Sequence, residues 1–228
     1  SSDVCSSDLM TIDVMFFVVL AMIIFPTIPG AGGAAERFVP LTAIMIIILA
    51  LLDDIPIMTI AYDHTRVDPK PVKWQMSRVL SISSILGIMA VVETFGLLAI
   101  GMHHLGDVLW GVTVDATHLQ TMVFLQLVAG GHLMLFVTRT EKFFLAPPLP
   151  SLPLLSAIIG TQILAVLMCG FGWLVPPLPW PLIGLVWLYN VVWMVVQDGV
   201  KLFIYALMDD TKYWKGRMLR EVNRRIAP

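Results

Sequence analysis

Charged residues are scarce in this chain: Asp, Glu, Lys and Arg together make up 13% of its 228 residues, and the formal net charge is −2. Neither value suits a nucleic-acid-binding protein, which presents a strongly basic surface, so we expect no nucleic-acid partner. Cysteine is also rare, and Cys5 and Cys169 have neither the spacing of metal ligands nor that of a disulfide framework. Apolar side chains are abundant and form 58% of the chain. This composition indicates an integral membrane protein with several spans.

Long apolar runs divide the chain into six segments, separated by charged residues and by Pro/Gly breaks. A helix needs about 20 apolar residues to cross a bilayer, and the first segment is too short to do so alone. We therefore expect an all-α fold, a polytopic transmembrane helical bundle of about six segments with the first one truncated. The segments are residues 11–25, 38–61, 79–102, 119–137, 152–174 and 182–207.

The two ends of the chain differ in composition from the transmembrane domain, residues 11–207. Residues 1–10 are rich in Ser and Asp and lack the basic region and cleavage site of a signal peptide, so we expect a non-native or disordered start. The chain therefore looks like part of something longer. Residues 208–228 form a short basic tail whose apolar residues recur at spacings of four, as in an amphipathic helix on a membrane surface.

Basic residues are unevenly distributed between the two sides that alternating segments define. Thirteen of the fourteen Lys and Arg residues fall in the second connection, the fourth connection, or the last segment and tail, and Arg37 is the exception. Basic residues beside spans are retained on the cytoplasmic side. The pattern predicts that the C-terminal tail is cytoplasmic.

Two adjacent carboxylates, Asp53 and Asp54, lie inside the apolar second segment. An ionised carboxylate at the bilayer centre costs about 2.5 to 3.5 kcal/mol on insertion scales, so charges at this depth mark ion or proton pathways. Pro56 lacks an amide hydrogen and leaves the carbonyl of Leu52 without its helical partner, which predicts that the helix opens there. Because a freed carbonyl at membrane depth must be buried in protein or face water, we expect it to share one polar pocket with the carboxylates.

The carboxylate pair has two interpretations. Adjacent helical residues point about 100° apart, so one carboxylate should lead and the other support it. A carboxyl group whose surroundings change during a conformational cycle can take up a proton in one state and release it in another. Alternatively, the pair caps a broken helix or belongs to a buried ion pair, although its own segment contains no base.

Other polar residues inside the segments give weaker signals. Glu93 is an isolated acid in the third segment, with either a pathway role or a packing hydrogen bond, and Asp13 in the first segment could face the same cavity as the pair. The remaining polar side chains are expected to make hydrogen bonds between helices. They are Gln126, His132, Tyr189, Asn190, Gln197 and Asp198.

The stretch from Leu41 to Trp74, LTAIMIIILALLDDIPIMTIAYDHTRVDPKPVKW, resembles the sixth transmembrane helix and following loop of plasma-membrane proton-pumping P-type ATPases. Plant and fungal members read LNDGTIMTI where this chain has LDDIPIMTI, and the preceding TIDVMFFVVLAMIIF resembles the end of the fifth helix. The resemblance is strong over residues 11–101, and the later segments agree in number and hydropathy. It implies that the chain comprises the fifth to tenth helices of such a pump.

The resemblance also implies roles for individual residues. The family's proton acceptor falls on Asp54, and Asp53 occupies the position of a neutral asparagine that gates it. Asp13 stands where plant and fungal pumps place an arginine near the acceptor. Asp54 is therefore the expected proton-binding residue. The supporting residues are Asp53, Pro56, Leu52, Asp13 and Glu93.

The sequence lacks the motifs with which this family handles phosphate. It contains no DKTGT phosphorylation loop, TGES dephosphorylation loop or GDGxND hinge, and no Gly-rich phosphate-binding loop replaces them. The resemblance thus assigns ATP and Mg²⁺ to the parent pump, with no cofactor, metal or catalytic residue in this chain, which we expect to be inactive alone. The expected partners are the lipid bilayer, protons, and the missing N-terminal helices and cytoplasmic ATPase domains of the same polypeptide.

We thus expect the ion-translocating membrane domain of a proton-exporting P-type ATPase in a prokaryotic-type plasma membrane. One alternative is the membrane domain of a P-type metal-cation pump. A metal ion would need more oxygen ligands from neighbouring segments, whereas a proton needs one carboxylate. The other alternative is a standalone secondary transporter or membrane scaffold.

Overall fold

The structure is a computed structural model, and it describes residues 14–29, 35–63, 76–109, 111–140, 142–147 and 149–226. Helices account for most of these residues, and two short β-hairpins account for the strands among them. The helices are α1 (Val14–Ile24), α2 (Ala43–Ile60), α3 (Met76–His103), α4 (Ala116–Thr138), α5 (Leu152–Phe171) and α6 (Trp180–Ile226). The strands are β1 (Thr27–Pro29), β2 (Ala35–Arg37), β3 (Val108–Leu109) and β4 (Val112–Thr113).

Five of the described helices are long and apolar enough to cross a membrane, and α1 is shorter. The prediction of an all-α bundle of six segments with a short first one is confirmed. The architecture is that of an integral membrane protein. The five candidate spans are Ala43–Ile60, Leu80–His103, Ala116–Thr138, Leu152–Phe171 and Trp180–Leu207.

Capping residues decide where two helices begin, and they account for differences from the predicted segments. The second segment was expected from residue 38, but α2 begins at Ala43 because the Thr42 hydroxyl accepts a hydrogen bond from the Met45 amide at 3.3 Å. The fourth was expected from residue 119, but α4 begins at Ala116. There the Asp115 carboxylate accepts from the His118 amide at 2.8 Å and forms a capping box.

The last two helices also end differently from the predictions. The fifth segment was expected to reach residue 174, but α5 ends at Phe171 because Gly172 adopts a left-handed conformation with φ of 73°. Helix α6 is 47 residues long and extends past the predicted end at residue 207. The predicted tail therefore continues the last span as helix to Ile226, without a break between them. Residues 1–10 lie outside the described residues.

Helix α4 is the centre of the bundle. It packs against α2, α3, α5 and α6, and most of its side chains are buried. Helix α1 joins the bundle through Phe17, whose ring centroid lies 5.3 Å from that of Phe95 on α3. The antiparallel hairpins β1–β2 and β3–β4 follow α1 and α3, respectively, and so lie at the same end of the bundle. The polar side chains in the middle of α4, those of Gln126 and His132, are thus placed deep among the other helices.

Candidate functional site

The two adjacent carboxylates of α2 have opposite environments. Asp53 is buried, with 9% of its surface exposed, whereas Asp54 is exposed on the helix surface. The prediction that the two side chains do not face the same spot is therefore confirmed. Asp53 faces the interior of the bundle, and Asp54 lies on an open face of α2.

Pro56 does not interrupt α2, so the predicted opening of the helix is wrong. The helix runs from Ala43 to Ile60 through Pro56, which is itself buried. The carbonyl oxygen of Leu52 lies 3.3 Å from Nε2 of His132 on α4. The imidazole thus takes the place of the amide hydrogen that proline lacks, and the helix stays continuous.

His132 also contacts the buried carboxylate. Its Nε2 lies 3.4 Å from Oδ1 of Asp53, and the imidazole is fully buried. Asp53 Oδ1 has no hydrogen-bond partner among the described residues. The freed carbonyl of Leu52 and the Asp53 carboxylate therefore share one polar pocket, as predicted, and the base that α2 lacks comes from α4.

Gln162 on α5 fixes the orientation of the imidazole. Its Nε2 lies 2.7 Å from Nδ1 of His132 and donates to the carbonyl oxygen of Val128 at 3.1 Å. Turning the amide over would set its oxygen against the Val128 carbonyl, so the nitrogen must face both acceptors. His132 then accepts at Nδ1 and carries its hydrogen on Nε2, where it faces Leu52 and Asp53. The site is a hydrogen-bonded chain from α5 through α4 to α2.

Part of this series of hydrogen bonds was predicted from the sequence. The expected interhelical hydrogen bond of His132 is confirmed, but its position beside Asp53 was not foreseen. Gln162 was missed altogether. The signal was present, because an amide in the apolar segment 152–174 carries the same burial cost that drew attention to the carboxylates.

Glu93 lies in a different polar cluster. Its side chain is 3% exposed, and its Oε2 accepts a hydrogen bond from Gln197 Nε2 on α6 at 2.8 Å. The Tyr189 hydroxyl, also on α6, donates to the Glu93 carbonyl oxygen at 2.6 Å. The interhelical hydrogen bonds predicted for Tyr189 and Gln197 are confirmed. Asp13, the remaining predicted site residue, lies outside the described residues.

A partly buried ion pair ties the end of α2 to its neighbours. Asp63 Oδ2 lies 2.6 Å from Arg139 Nε at the end of α4, and the Asp63 side chain is 3% exposed. Asp63 Oδ1 accepts a hydrogen bond from the amide of Ser151, the N-cap of α5, at 2.8 Å. The ends of α2 and α4 and the start of α5 are therefore held together at one end of the bundle.

The described part of the chain does not bring three or more His, Cys, Asp or Glu side chains together as a metal centre. In α2, α4 and α5 the site consists of one buried carboxylate, one imidazole and one amide. Such a set can hold and exchange a proton.

Comparison with known proteins finds relatives over most of the chain. The chain is 36% identical over 195 residues to a provisionally named cation-transporting ATPase of Methanocaldococcus jannaschii, which covers 85% of the chain and 22% of that protein. It is 30% identical over 223 residues to a provisionally named proton ATPase 1B of Leishmania donovani, covering 86% of the chain and 22% of that protein. The chain is a homologue of P-type ATPases.

The P-type ATPase relatives include plasma-membrane proteins. Plasma membrane ATPase 1 of Candida albicans is 32% identical over 129 residues, which cover 57% of the chain and 14% of that protein. The chain thus spans 14–22% of the length of these P-type ATPases. No protein-family model matches the chain. The resemblance stated from the sequence is confirmed, and ion transport across a membrane is the function class of the family.

Proposed function

We propose that this chain is the ion-translocating membrane part of an ATP-driven, proton-exporting P-type pump, and that Asp54 carries the proton. The observation that supports this most directly is the contrast between Asp54, on the open face of α2, and Asp53, held inside the bundle. An ionised carboxylate facing hydrocarbon costs about 2.5 to 3.5 kcal/mol. The face that carries Asp54 must therefore be covered by protein or water in the membrane. A covered, partly hydrated face beside a carboxylate is where an ion path would run.

Asp53 has the supporting role in this proposal. Its carboxylate lies against His132, which also bonds the carbonyl that Pro56 leaves free. These contacts fix the turn of α2 on which both carboxylates sit. Asp54, exposed on the open face of α2, is the carboxyl group that would exchange protons as its surroundings change.

The remainder of the pump is part of the same proposal. ATP and Mg²⁺ would act in cytoplasmic domains of the parent polypeptide, and its phosphorylation would switch the access of Asp54 between the two faces of the membrane. The other helices of the parent would cover the open face of α2. The basic tail would lie in the cytoplasm of a cell with a prokaryotic-type plasma membrane.

The test uses the complete pump in sealed vesicles, with ATP-driven acidification of the lumen as the readout. We expect Asp54→Asn to abolish acidification, because the amide cannot carry a proton, whereas Asp53→Asn is tolerated or even favourable. Asp107→Asn, in the exposed connection after α3, is the matched control and should transport normally. Normal acidification by the Asp54→Asn pump would contradict the assignment.

A metal-cation pump is the second candidate, and the name of the M. jannaschii relative, a cation-transporting ATPase, fits it as well as it fits a proton pump. Cation pumps use several oxygen ligands, so ATPase activity should respond to one metal ion at fixed pH. Stimulation by a metal ion and not by pH would support this candidate over the proton pump. A standalone transporter or scaffold is rejected if the coding sequence directly upstream contains DKTGT.

A further inference from the structure

A second polar cluster lies on the face of α4 opposite His132. Gly130 is at its centre, and the absence of a side chain there lets polar groups of three helices approach one another. A methyl group placed on Gly130 would lie 3.0 Å from Asn190 Oδ1 of α6, 3.3 Å from Gln126 Nε2 of α4 and 3.6 Å from Glu93 Oε1 of α3. The three side chains are at most 3% exposed, so bulk water does not solvate them.

Asn190 Oδ1 is an acceptor whose orientation in this cluster is fixed. Its amide nitrogen donates to the carbonyl oxygen of Val186 at 2.8 Å, so turning the amide over would set two oxygens against each other. Oδ1 is therefore fixed toward Gly130, and it has no hydrogen-bond partner among the described residues. A buried amide oxygen left unpaired destabilises the fold, so a donor is expected here.

The Glu93 carboxyl group can become that donor. Gln197 donates to Oε2, and Oε1 lies on the Gly130 side. When Glu93 binds a proton, its carboxyl group gains an O–H that can face Asn190 Oδ1, and the cluster loses its formal negative charge. A metal ion suits the cluster less well, because the Gln126 amide nitrogen, a donor, faces the same point.

Other titratable groups near the cluster are few within the described residues. Tyr189 on α6 bonds the Glu93 carbonyl, and His132 lies on the opposite face of α4. Further along α6, Asp198 Oδ1 pairs with Lys201 Nζ at 2.6 Å. Among the carboxyl groups of the described residues, Glu93 is the one with an oxygen beside Gly130, where Asn190 Oδ1 also lies.

We propose that Glu93 is a second proton-binding site of the membrane domain, with Asn190 Oδ1 as the acceptor of the bound proton. The proton comes from hydronium and returns to water on release. The site is separate from the Asp53–His132 pocket because α4 lies between them. The inference does not depend on the proposed role of Asp54.

Carbon-13 NMR of the chain in lipid nanodiscs tests the proposal without measuring transport. Labelling glutamate at the side-chain carboxyl carbon leaves the twelve aspartates silent, and the sequence has four glutamates: Glu36, Glu93, Glu141 and Glu221. Replacing the other three by glutamine leaves the Glu93 signal alone. We expect the shift of a neutral carboxyl group at pH 7. A carboxylate shift at pH 7 would overturn the proposal.

Two variants examine the part played by Asn190. Asn190→Leu removes the acceptor, so the protonated fraction of Glu93 at a given pH should fall several-fold. Gly130→Ala places a methyl group 3.0 Å from Asn190 Oδ1 and should have the same effect. Gly160→Ala on α5 is the matched control, because its methyl group would meet nothing within 4 Å. An unchanged protonated fraction in Asn190→Leu would exclude Asn190 as the acceptor.

Discussion

Nε2 of His132 lies 3.3 Å from the carbonyl oxygen of Leu52, the group that Pro56 leaves without its helical amide. A side chain from α4 thereby completes the hydrogen bonding of α2. This contact explains how a proline sits inside a continuous membrane helix. It also places an imidazole within 3.4 Å of the buried carboxylate of Asp53.

The contact predicts an energetic coupling between His132 and Pro56. Replacing His132 by Leu should lower the free energy of unfolding by about 1 kcal/mol, because the Leu52 carbonyl loses its donor. Pro56→Ala restores a backbone donor to that carbonyl, so the cost of His132→Leu should be smaller in the Pro56→Ala background. A double-mutant cycle on reversible unfolding in mixed micelles measures the difference. Equal costs in the two backgrounds would show that the imidazole does not serve this carbonyl.

The second prediction concerns the tautomer of His132. Because Gln162 Nε2 faces Nδ1, the ring should be neutral with its hydrogen on Nε2. Nitrogen-15 NMR of histidine-labelled chain at pH 7 reports the tautomer, and Gln162→Leu should allow a mixture of the two neutral forms. Gln120→Leu serves as the control, since Gln120 bonds the Val39 carbonyl instead. An imidazolium signal, or a hydrogen on Nδ1, would contradict the hydrogen-bonded chain.

The ion pair at the end of α2 should contribute strongly to stability. Asp63→Ala removes the carboxylate that pairs with the partly buried Arg139 and accepts from the Ser151 amide, so we expect a loss of about 3 kcal/mol in the free energy of unfolding. Asp63→Asn keeps an acceptor and should lose less. The exposed His104–Asp107 pair is the comparison, and Asp107→Ala should cost less than about 1 kcal/mol. Similar losses in Asp63→Ala and Asp107→Ala would refute the structural role of Asp63.

The N-cap of α4 gives a prediction with a pH dependence. Partial burial of Asp115 acts to raise its pKa, but hydrogen bonds from the His118 amide and the Thr117 hydroxyl outweigh it, so the pKa is lowered from 3.8. A lowered folded-state pKa means that the carboxylate stabilises the fold above its ordinary pKa and that this contribution is lost as pH falls through the lowered value. Asp115→Ala should therefore cost about 1 kcal/mol at pH 7.

Asp115→Asn is the control for the cap, because the asparagine oxygen accepts the same hydrogen bond. It should unfold like the unmodified chain at pH 7. Unfolding measured at several pH values should show the cost of Asp115→Ala shrinking in acid. A cost that stays constant in strong acid would mean that the charge of Asp115 has no part in the cap.

The helices could be predicted from the sequence because each residue contributes separately to the free energy of inserting a segment into the membrane. Each apolar run between breaks became a helix, with ends that differ by a few residues where a local cap decides, as at Thr42 and Asp115. The exception is α6, since a change of composition near residue 207 does not by itself end a helix.

The partners of the carboxylates could not be predicted in the same way. His132 and Leu52 are 80 residues apart, and Gln162 is 30 residues beyond His132. Which helices become neighbours depends on packing of the whole bundle, which hydropathy does not record. The burial cost did show that Asp53 and Asp54 needed polar surroundings, but it could not say which of the two would face inward. The role of Asp54 as proton carrier remains a prediction.

Helix α4 makes polar contacts with other helices on two opposite faces. On one side His132 reaches α2 and α5, and on the other Gly130 admits the side chains of Glu93 and Asn190 from α3 and α6. Turning this helix about its long axis would disrupt polar contacts on both sides at once. We therefore expect α4 to keep its position during a transport cycle. Any movement that opens a path past Asp54 would then be made by the helices around α4.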